Sequence, residues 1–201
     1  MLPYRQVLYD LAENQHGYLT AAQAKATGVP AIRLVQMVKE GTVERISHGV
    51  YRLTRFPSSQ LAQYMEATLW PAPRRTDIWG VLSHESALAF YELSEVSPAK
   101  VHITVPPTVR IRRVVPRYLV LHRAPLDPSD VTVIDGIHVT SVERTIRDVA
   151  AAHLSSALVR AAIADGRRLG RLTAAQAERL TEDLLRTMPS RHAEAGSVRD
   201  E

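Results

Sequence analysis

Residues 18–53 read YLTAAQAKATGVPAIRLVQMVKEGTVERISHGVYRL, and this stretch decides how the first part of the chain folds. Thr20 is followed three residues later by Gln23, which is the spacing of a capping box at a helix start. The pattern predicts a short helix over residues 21–27. Gly28 then stops this helix, because glycine readily adopts the backbone conformation found just past a helix end.

The next segment predicts another helix, over residues 31–40. Pro30 suits the first turn of a helix and Gly41 suits its end. The helical period gives the segment two sides. The side expected to face the core carries Ala31, Leu34, Val35 and Val38. The opposite side presents Arg33, Gln36 and Lys39.

Two short runs with alternating apolar side chains, 43–46 and 50–53, flank Ser47-His48-Gly49 and predict a β-hairpin. Its solvent face is expected to carry Arg45 and Arg52, with His48 at the tip.

A helix is also expected upstream, over residues 2–14, so the order is helix, helix, turn, helix, hairpin. This order is typical of a winged helix-turn-helix, in which one helix enters the DNA major groove and the hairpin contacts phosphates. Arginine and glutamine make paired hydrogen bonds to bases, and lysine and arginine bind phosphates. The predicted DNA contacts are Arg33, Gln36, Lys39, Arg45, His48 and Arg52. The alternative is a module of the same fold that binds only proteins.

The remaining residues mix helical and strand patterns, so the fold class expected for the whole chain is α+β. We predict three parts: a winged helix-turn-helix domain at 1–55, a mixed α/β domain with an antiparallel sheet and C-terminal helices at 56–188, and a disordered tail at 189–201. Strands are expected at 101–105, 110–115 and 118–122, and a hairpin is expected around Asp135-Gly136. Helices are expected at 84–93, 140–153, 156–165 and 173–188.

Composition and charge limit the class of protein. The 201 residues contain no cysteine and carry a net charge of +4. No apolar run is long enough to cross a membrane, and the histidines lack a metal-binding spacing, so we expect a cytoplasmic protein without membrane or metal sites. Basic residues concentrate in 1–55, with a balance of +3, and in 97–125, with a balance of +6. Both regions are candidates for contact with a polyanion.

The N-terminal stretch resembles the corresponding domain of AbiEi-family antitoxins from bacterial toxin–antitoxin operons. The likeness rests on the opening G-Y-L-T-x-x-Q-A, the turn G-x-P and the ending R-I-x-x-G-V-Y-R-L. The motifs SHESALAFYEL, VHITVP and VTSVERTIRD are similar to the C-terminal antitoxin domain of the same family. The basic strands and the helical ending look most similar to the mycobacterial branch.

The resemblance implies a function for each domain. The N-terminal domain would repress its own operon by binding operator DNA, expected to contain inverted repeats. The C-terminal domain would neutralise a cognate nucleotidyltransferase toxin encoded next to it.

A search for catalytic motifs finds neither a phosphate-binding glycine loop nor a nucleophile elbow, so no catalytic residue and no cofactor is predicted. Glu143, Arg144 and Asp148 form the most suggestive polar set and are further candidates for binding a partner or a phosphate. A helix cap at Thr140 and Glu143 plus an ion pair would also explain them. The alternative is an atypical serine/threonine protein kinase that inactivates the toxin with ATP, in which Glu143 and Asp148 hold Mg²⁺.

The basic segment 97–125 has three possible roles. The segment would extend the DNA-binding surface, dock on an acidic partner, or bind a phosphorylated ligand. The residues concerned are Arg110, Arg112, Arg113 and Arg117.

Overall fold

The N-terminal part of the computed structural model is a helix-turn-helix followed by a hairpin. The structure describes residues 3–71, 74–75, 79–152 and 155–187, so the predicted tail lies outside the described residues. The elements are α1 (Tyr4–Glu13), β1 (Tyr18–Thr20), α2 (Ala21–Ala26), α3 (Ala31–Lys39), β2 (Val43–Ser47) and β3 (Val50–Leu53). The strands form an antiparallel sheet in the order β1-β3-β2. The predicted winged helix-turn-helix is therefore confirmed.

Local signals account for the start of this unit. Thr20 and Gln23 form the expected capping box: the Gln23 amide N donates to Thr20 Oγ1 at 3.2 Å, and the Thr20 amide N donates to Gln23 Oε1 at 2.8 Å. Gly28 follows α2 with φ +85°, a conformation that glycine adopts without the Cβ penalty.

Helix α3 packs differently from the prediction. Its buried side chains are Leu34 and Met37, whereas Val35 is 47% exposed and Ala31 is exposed. The expectation that Ala31 and Val35 face the core is wrong. The helix is rotated so that Leu34 and Met37 meet Leu8 and Val43 in the N-terminal core.

The second part is built on a five-stranded sheet in the order β6-β5-β4-β8-β7. The described elements are α4 (Ala62–Leu69), β4 (Val81–Leu82), α5 (His84–Phe90), β5 (Val101–Val105), β6 (Leu119–Arg123), β7 (Val131–Ile134), β8 (Ile137–Thr140), α6 (Val142–Ala151), α7 (Ser156–Arg168) and α8 (Ala174–Thr187). The pair β7/β8 is antiparallel, as the predicted hairpin requires, and β4/β5 is also antiparallel. The pairs β4/β8 and β5/β6 are parallel. The α+β class is confirmed.

The parallel pairing of β5 and β6 explains one wrong prediction. Residues 110–115 do not form a strand, because two parallel neighbours need a connection that returns the chain to the same end of the sheet. Residues 106–118 form that connection, which we call the basic crossover. The arginines of this segment therefore lie on a loop and not on alternate faces of a strand.

The hairpin at Asp135-Gly136 is confirmed. Both residues have positive φ, 49° and 77°, as a two-residue turn of this kind requires. A Cβ on Gly136 would collide with the Asn14 carbonyl, so the turn lies directly against the end of α1. The His16 ring contacts the Asp135 carbonyl at 2.9 Å between Nε2 and O.

The boundaries of α6 and α7 differ from the prediction. Helix α6 is capped by Ser141, whose Oγ accepts from the Arg144 amide, and Thr140 instead contacts Thr145 through its hydroxyl. Helix α7 continues through Gly166 to Arg168, because Gly166 is buried and leaves room for Leu172.

The N-terminal sheet packs on both of its faces. One face covers the N-terminal core, while Tyr18 and Val50 belong to the same apolar cluster as Met65 of α4. The Glu66 carboxylate accepts from the Tyr18 hydroxyl at 3.4 Å and from the Tyr118 hydroxyl at 2.7 Å. The two parts of the chain therefore share a buried contact.

Candidate functional site

Helix α3 exposes a face of mixed chemistry. Gln36 and Lys39 are exposed, as predicted. Arg33 lies along the helix, where its Nη1 donates to Glu40 Oε1 at 2.9 Å and to Gln36 Oε1 at 3.2 Å. The ion pair between Arg33 and Glu40 must therefore break before the Arg33 guanidinium can contact a base.

Helix α3 also exposes two apolar side chains that were not among the predicted site residues. Ile32 is 67% exposed and Val35 is 47% exposed. Apolar side chains on a helix in the major groove contact the methyl group of thymine. The helical period permitted either rotation of α3, so only the packing of Leu34 and Met37 identifies this face.

The strand register separates the two arginines of the hairpin. Arg45 lies opposite Tyr51 and Arg52 lies opposite Glu44, so Arg45 and Arg52 lie on opposite faces. The expectation that both share the solvent face is wrong. Arg45 is exposed, whereas Arg52 donates through Nη2 to the Phe56 carbonyl at 3.1 Å and lies over the Tyr18 ring.

The hairpin tip meets arginines from the second part of the chain. His48 Nδ1 lies 3.3 Å from Arg45 Nη2, and His48 Nε2 lies 3.0 Å from Arg74 Nη2. The His48 carbonyl accepts from Arg113 Nη1 at 3.5 Å. The tip is therefore exposed and surrounded by positive charge.

A cleft of about 660 Å³ opens between the hairpin tip and the basic crossover. We call it the basic cleft, and its charged or titratable lining residues are His48, Arg74, Arg75, Arg110, Arg112 and Arg113. No carboxylate belongs to this described lining. Arg117, which the sequence grouped with these arginines, does not line the cleft.

Glu143, Arg144 and Asp148 do not form one site. Arg144 donates to Asp148 Oδ1 at 2.8 Å and to Asp130 Oδ2 at 2.6 Å, whereas Glu143 lies 3.8 Å from Arg179. Burial alone would lower the pKa of Arg144, but the hydrogen bonds and charges of Asp148 and Asp130 outweigh burial and raise it. Arg144 is therefore a structural tie between α6 and the loop before β7.

Three histidines that are far apart in the sequence lie together beside Arg144. The rings of His84 and His122 stack with centroids 3.6 Å apart, and His102 Nδ1 lies 3.2 Å from His122 Nε2. His102 Nε2 lies 3.4 Å from Glu85. We call His84, His102 and His122 the histidine cluster.

Burial keeps the histidine cluster neutral. Burial, reinforced by the neighbouring histidines, lowers the pKa of His84 to about 3 and that of His122 to about 4. Burial also lowers the pKa of His102. Within the described residues, no three histidine, aspartate or glutamate side chains are placed to hold a metal ion.

Ser83 directly precedes α5, but its hydroxyl does not cap the helix. Ser83 Oγ accepts from Thr104 Oγ1 at 2.8 Å and lies 3.0 Å from His84 Nδ1. His84 has φ +53°, which is uncommon for a residue with a Cβ. These contacts hold the His84 ring against the sheet.

Comparison with known proteins agrees with the N-terminal geometry. Residues 6–54 match the family model described as "Transcriptional regulator, AbiEi antitoxin". The AbiEi resemblance of this segment is thereby confirmed. The AbiEi match covers α1 to β3, which carry the helix-turn-helix and the hairpin.

The fold of most of the chain is similar to a solved structure, described as the crystal structure of RV2827C protein from Mycobacterium tuberculosis. The likeness has a TM-score of 0.52 at 15% identity and covers 90% of this chain and 72% of that chain. It shows the fold alone. No curated protein matches the chain. Among the described helices, none is both long and apolar enough to span a bilayer.

Proposed function

We propose that this protein is a DNA-binding autorepressor and antitoxin of a toxin–antitoxin operon. The observation that carries the DNA-binding half is the exposed face of α3 beside a hairpin whose tip is surrounded by arginines. The match to an antitoxin transcriptional regulator supports both halves.

The proposed DNA contacts are sorted by chemistry. Gln36 lies on the face of α3 that would enter the major groove and would bind adenine, while Ile32 and Val35 would contact thymine methyl groups. Arg45 and His48 on the hairpin and Lys39 at the end of α3 would contact phosphates. We leave out Arg52, because it lies on the opposite face and bonds to the Phe56 carbonyl.

The test measures affinity for the DNA upstream of the protein's own gene and for an unrelated duplex. Gln36→Ala should lower the affinity for the upstream duplex about tenfold and change the affinity for the unrelated duplex little, because only base contacts carry sequence information. Arg45→Ala should weaken both and reduce the slope of log affinity against log salt by about 1. Arg160→Ala, on the exposed side of α7, is the control. Equal effects of all three substitutions would contradict the assignment.

A second measurement isolates the apolar contacts. Replacing thymines of the upstream duplex by uracils, one at a time, removes only the 5-methyl group. At the contacted positions, the affinity of the wild-type protein for the duplex should fall about threefold. The effect is small because one apolar contact contributes less than a bidentate pair of hydrogen bonds to a base. Ile32→Ala and Val35→Ala proteins should lose this difference. If the wild type discriminates at no position, Ile32 and Val35 do not contact thymine.

The antitoxin half is tested on the toxin. The neighbouring gene product is recovered with and without this protein, and its intact mass and association are recorded. Stable association without a mass change supports neutralisation by binding. A phosphate-sized gain would instead support the kinase alternative. Glu143 and Asp148 do not fit the proposed magnesium site, because Glu143 faces Arg179 and Asp148 is bonded to Arg144.

A further inference from the structure

The basic cleft concentrates positive charge in a small volume. Arg74, Arg110, Arg112, Arg113 and His48 line a volume of about 660 Å³, and no carboxylate belongs to its described lining. Arg74, Arg110 and Arg112 are exposed at its rim. Cavities of this size hold small organic ligands, and arginines are the usual partners of phosphate groups.

The contacts around His48 indicate that Arg45 and Arg74 lack an anionic partner among the described residues. The ring faces guanidinium nitrogens on both sides, from Arg45 at 3.3 Å and Arg74 at 3.0 Å. An imidazole has at most one acceptor nitrogen, so at least one of these contacts places one N–H against another. An anion beside the ring would accept from both arginines.

Arg113 gives a second, independent indication. Its guanidinium lies 4.2 Å from the centroid of the Trp70 ring, which fixes its position. Its Nε and Nη2 atoms are buried and have no hydrogen-bond partner among the described residues. Burial, reinforced by the charge of Arg74, lowers the pKa of this guanidinium.

We propose that the basic cleft binds a polyphosphate group and thereby joins the hairpin tip to the second part of the chain. Arg74 and Arg113 would bind the phosphates, with Arg110 and Arg112 closing the rim. Several guanidinium groups match the charge of a di- or triphosphate better than that of one phosphate. The group is carried either by a free nucleotide or by successive phosphates of DNA alongside the hairpin.

The first experiment does not depend on the operator. Sodium tripolyphosphate is titrated into the full-length protein by calorimetry, at ionic strength held constant with chloride. Arg74→Gln and Arg113→Gln should each weaken binding about tenfold, since each removes charge-assisted hydrogen bonds. Arg117→Gln is the matched control, because it removes a charge from the same crossover outside the cleft. It should change affinity less than twofold, about the effect of a screened surface charge.

A separate measurement checks that the variants are folded. Arg113→Gln removes a stacking contact with Trp70, so thermal melting is recorded for each variant. Arg74 is exposed, and its substitution gives a result that is independent of that packing.

Three further measurements distinguish the sources of phosphate. If the ligand is free, Arg74→Gln loses tripolyphosphate binding but keeps its affinity for the upstream duplex. If the phosphates belong to DNA, the same variant binds the upstream duplex more weakly, and tripolyphosphate competes with the duplex for the wild-type protein. Replacing the phosphates beside the hairpin with uncharged methylphosphonates then reproduces the loss of affinity. The proposal is overturned if wild type binds no tripolyphosphate and Arg74→Gln matches Arg117→Gln on DNA. An equal loss of tripolyphosphate binding in Arg117→Gln also overturns it.

Discussion

Arg113 and Arg144 are two half-buried arginines in opposite surroundings. Arg144 lies between the carboxylates of Asp130 and Asp148, which raise its pKa although burial acts against them. Arg113 lies on the Trp70 ring in a cleft lined by further arginines, and burial lowers its pKa.

The comparison shows what identifies a binding arginine. Both residues were grouped in the sequence as candidates for a partner or a phosphate. In the structure, the carboxylates of Asp130 and Asp148 pair with Arg144, whereas no carboxylate of the described residues pairs with Arg113. A partly buried cation without an internal carboxylate is a candidate for an external anion.

The largest expected effect is at the paired arginine. Arg144→Met should lower the free energy of unfolding by about 3 kcal/mol, because it leaves two partly buried carboxylates without their cation. Urea denaturation measures the change. Arg147→Met is the matched control, since the Arg147–Asp183 pair is about half exposed and should contribute about 0.5 kcal/mol or less. Equal losses in the two variants would remove the contrast on which the comparison rests.

The histidine cluster beside Arg144 should make the stability of this region depend on pH. Its pKa values lie below the usual 6.5, so the unfolded chain binds more protons below that pH. Stability should therefore be complete above pH 6.5 and fall by about 1 kcal/mol per pH unit toward pH 5, allowing for partial exposure of the rings. His84→Asn, which tolerates positive φ, should flatten this slope in urea titrations at several pH values. An unchanged slope would contradict the role of the cluster.

The smallest expected effect is at the unpaired arginine. Arg113→Met should change the free energy of unfolding by about 1 kcal/mol or less, because the loss of the cation–π contact is offset by a methionine packed on Trp70. Urea denaturation at low phosphate compares it with Arg144→Met. A loss as large as that of Arg144→Met would show that Arg113 is structural and weaken the case for an external anion.

The N-terminal fold was predictable because its signals are local. The capping box at Thr20, the glycine at 28 and the tight hairpin turn each act within a few residues, and each was confirmed. The direction of β6 was not predictable. Its parallel pairing with β5 depends on the whole sheet, and it turned the expected strand at 110–115 into a crossover.

The site was predictable only in part, for the same reason. Arg45, Gln36 and Lys39 are exposed as expected, since helical and strand periods place them. The convergence of Arg74 and Arg113 on His48 joins segments far apart in the sequence, so no spacing reports it. The same holds for the histidine cluster, whose members come from α5, β5 and β6.

The turn at Asp135-Gly136 lies against the end of α1, and Tyr18 and Val50 share an apolar cluster with α4. For a genetic screen of the proposed repressor function, this contact means that loss of folding in one part of the chain affects the other part. A mutation that unfolds the second part of the chain also removes one supporting face of the proposed DNA-binding unit. Derepressing mutations should therefore map to both halves of the gene, and those in the second half should be temperature-sensitive.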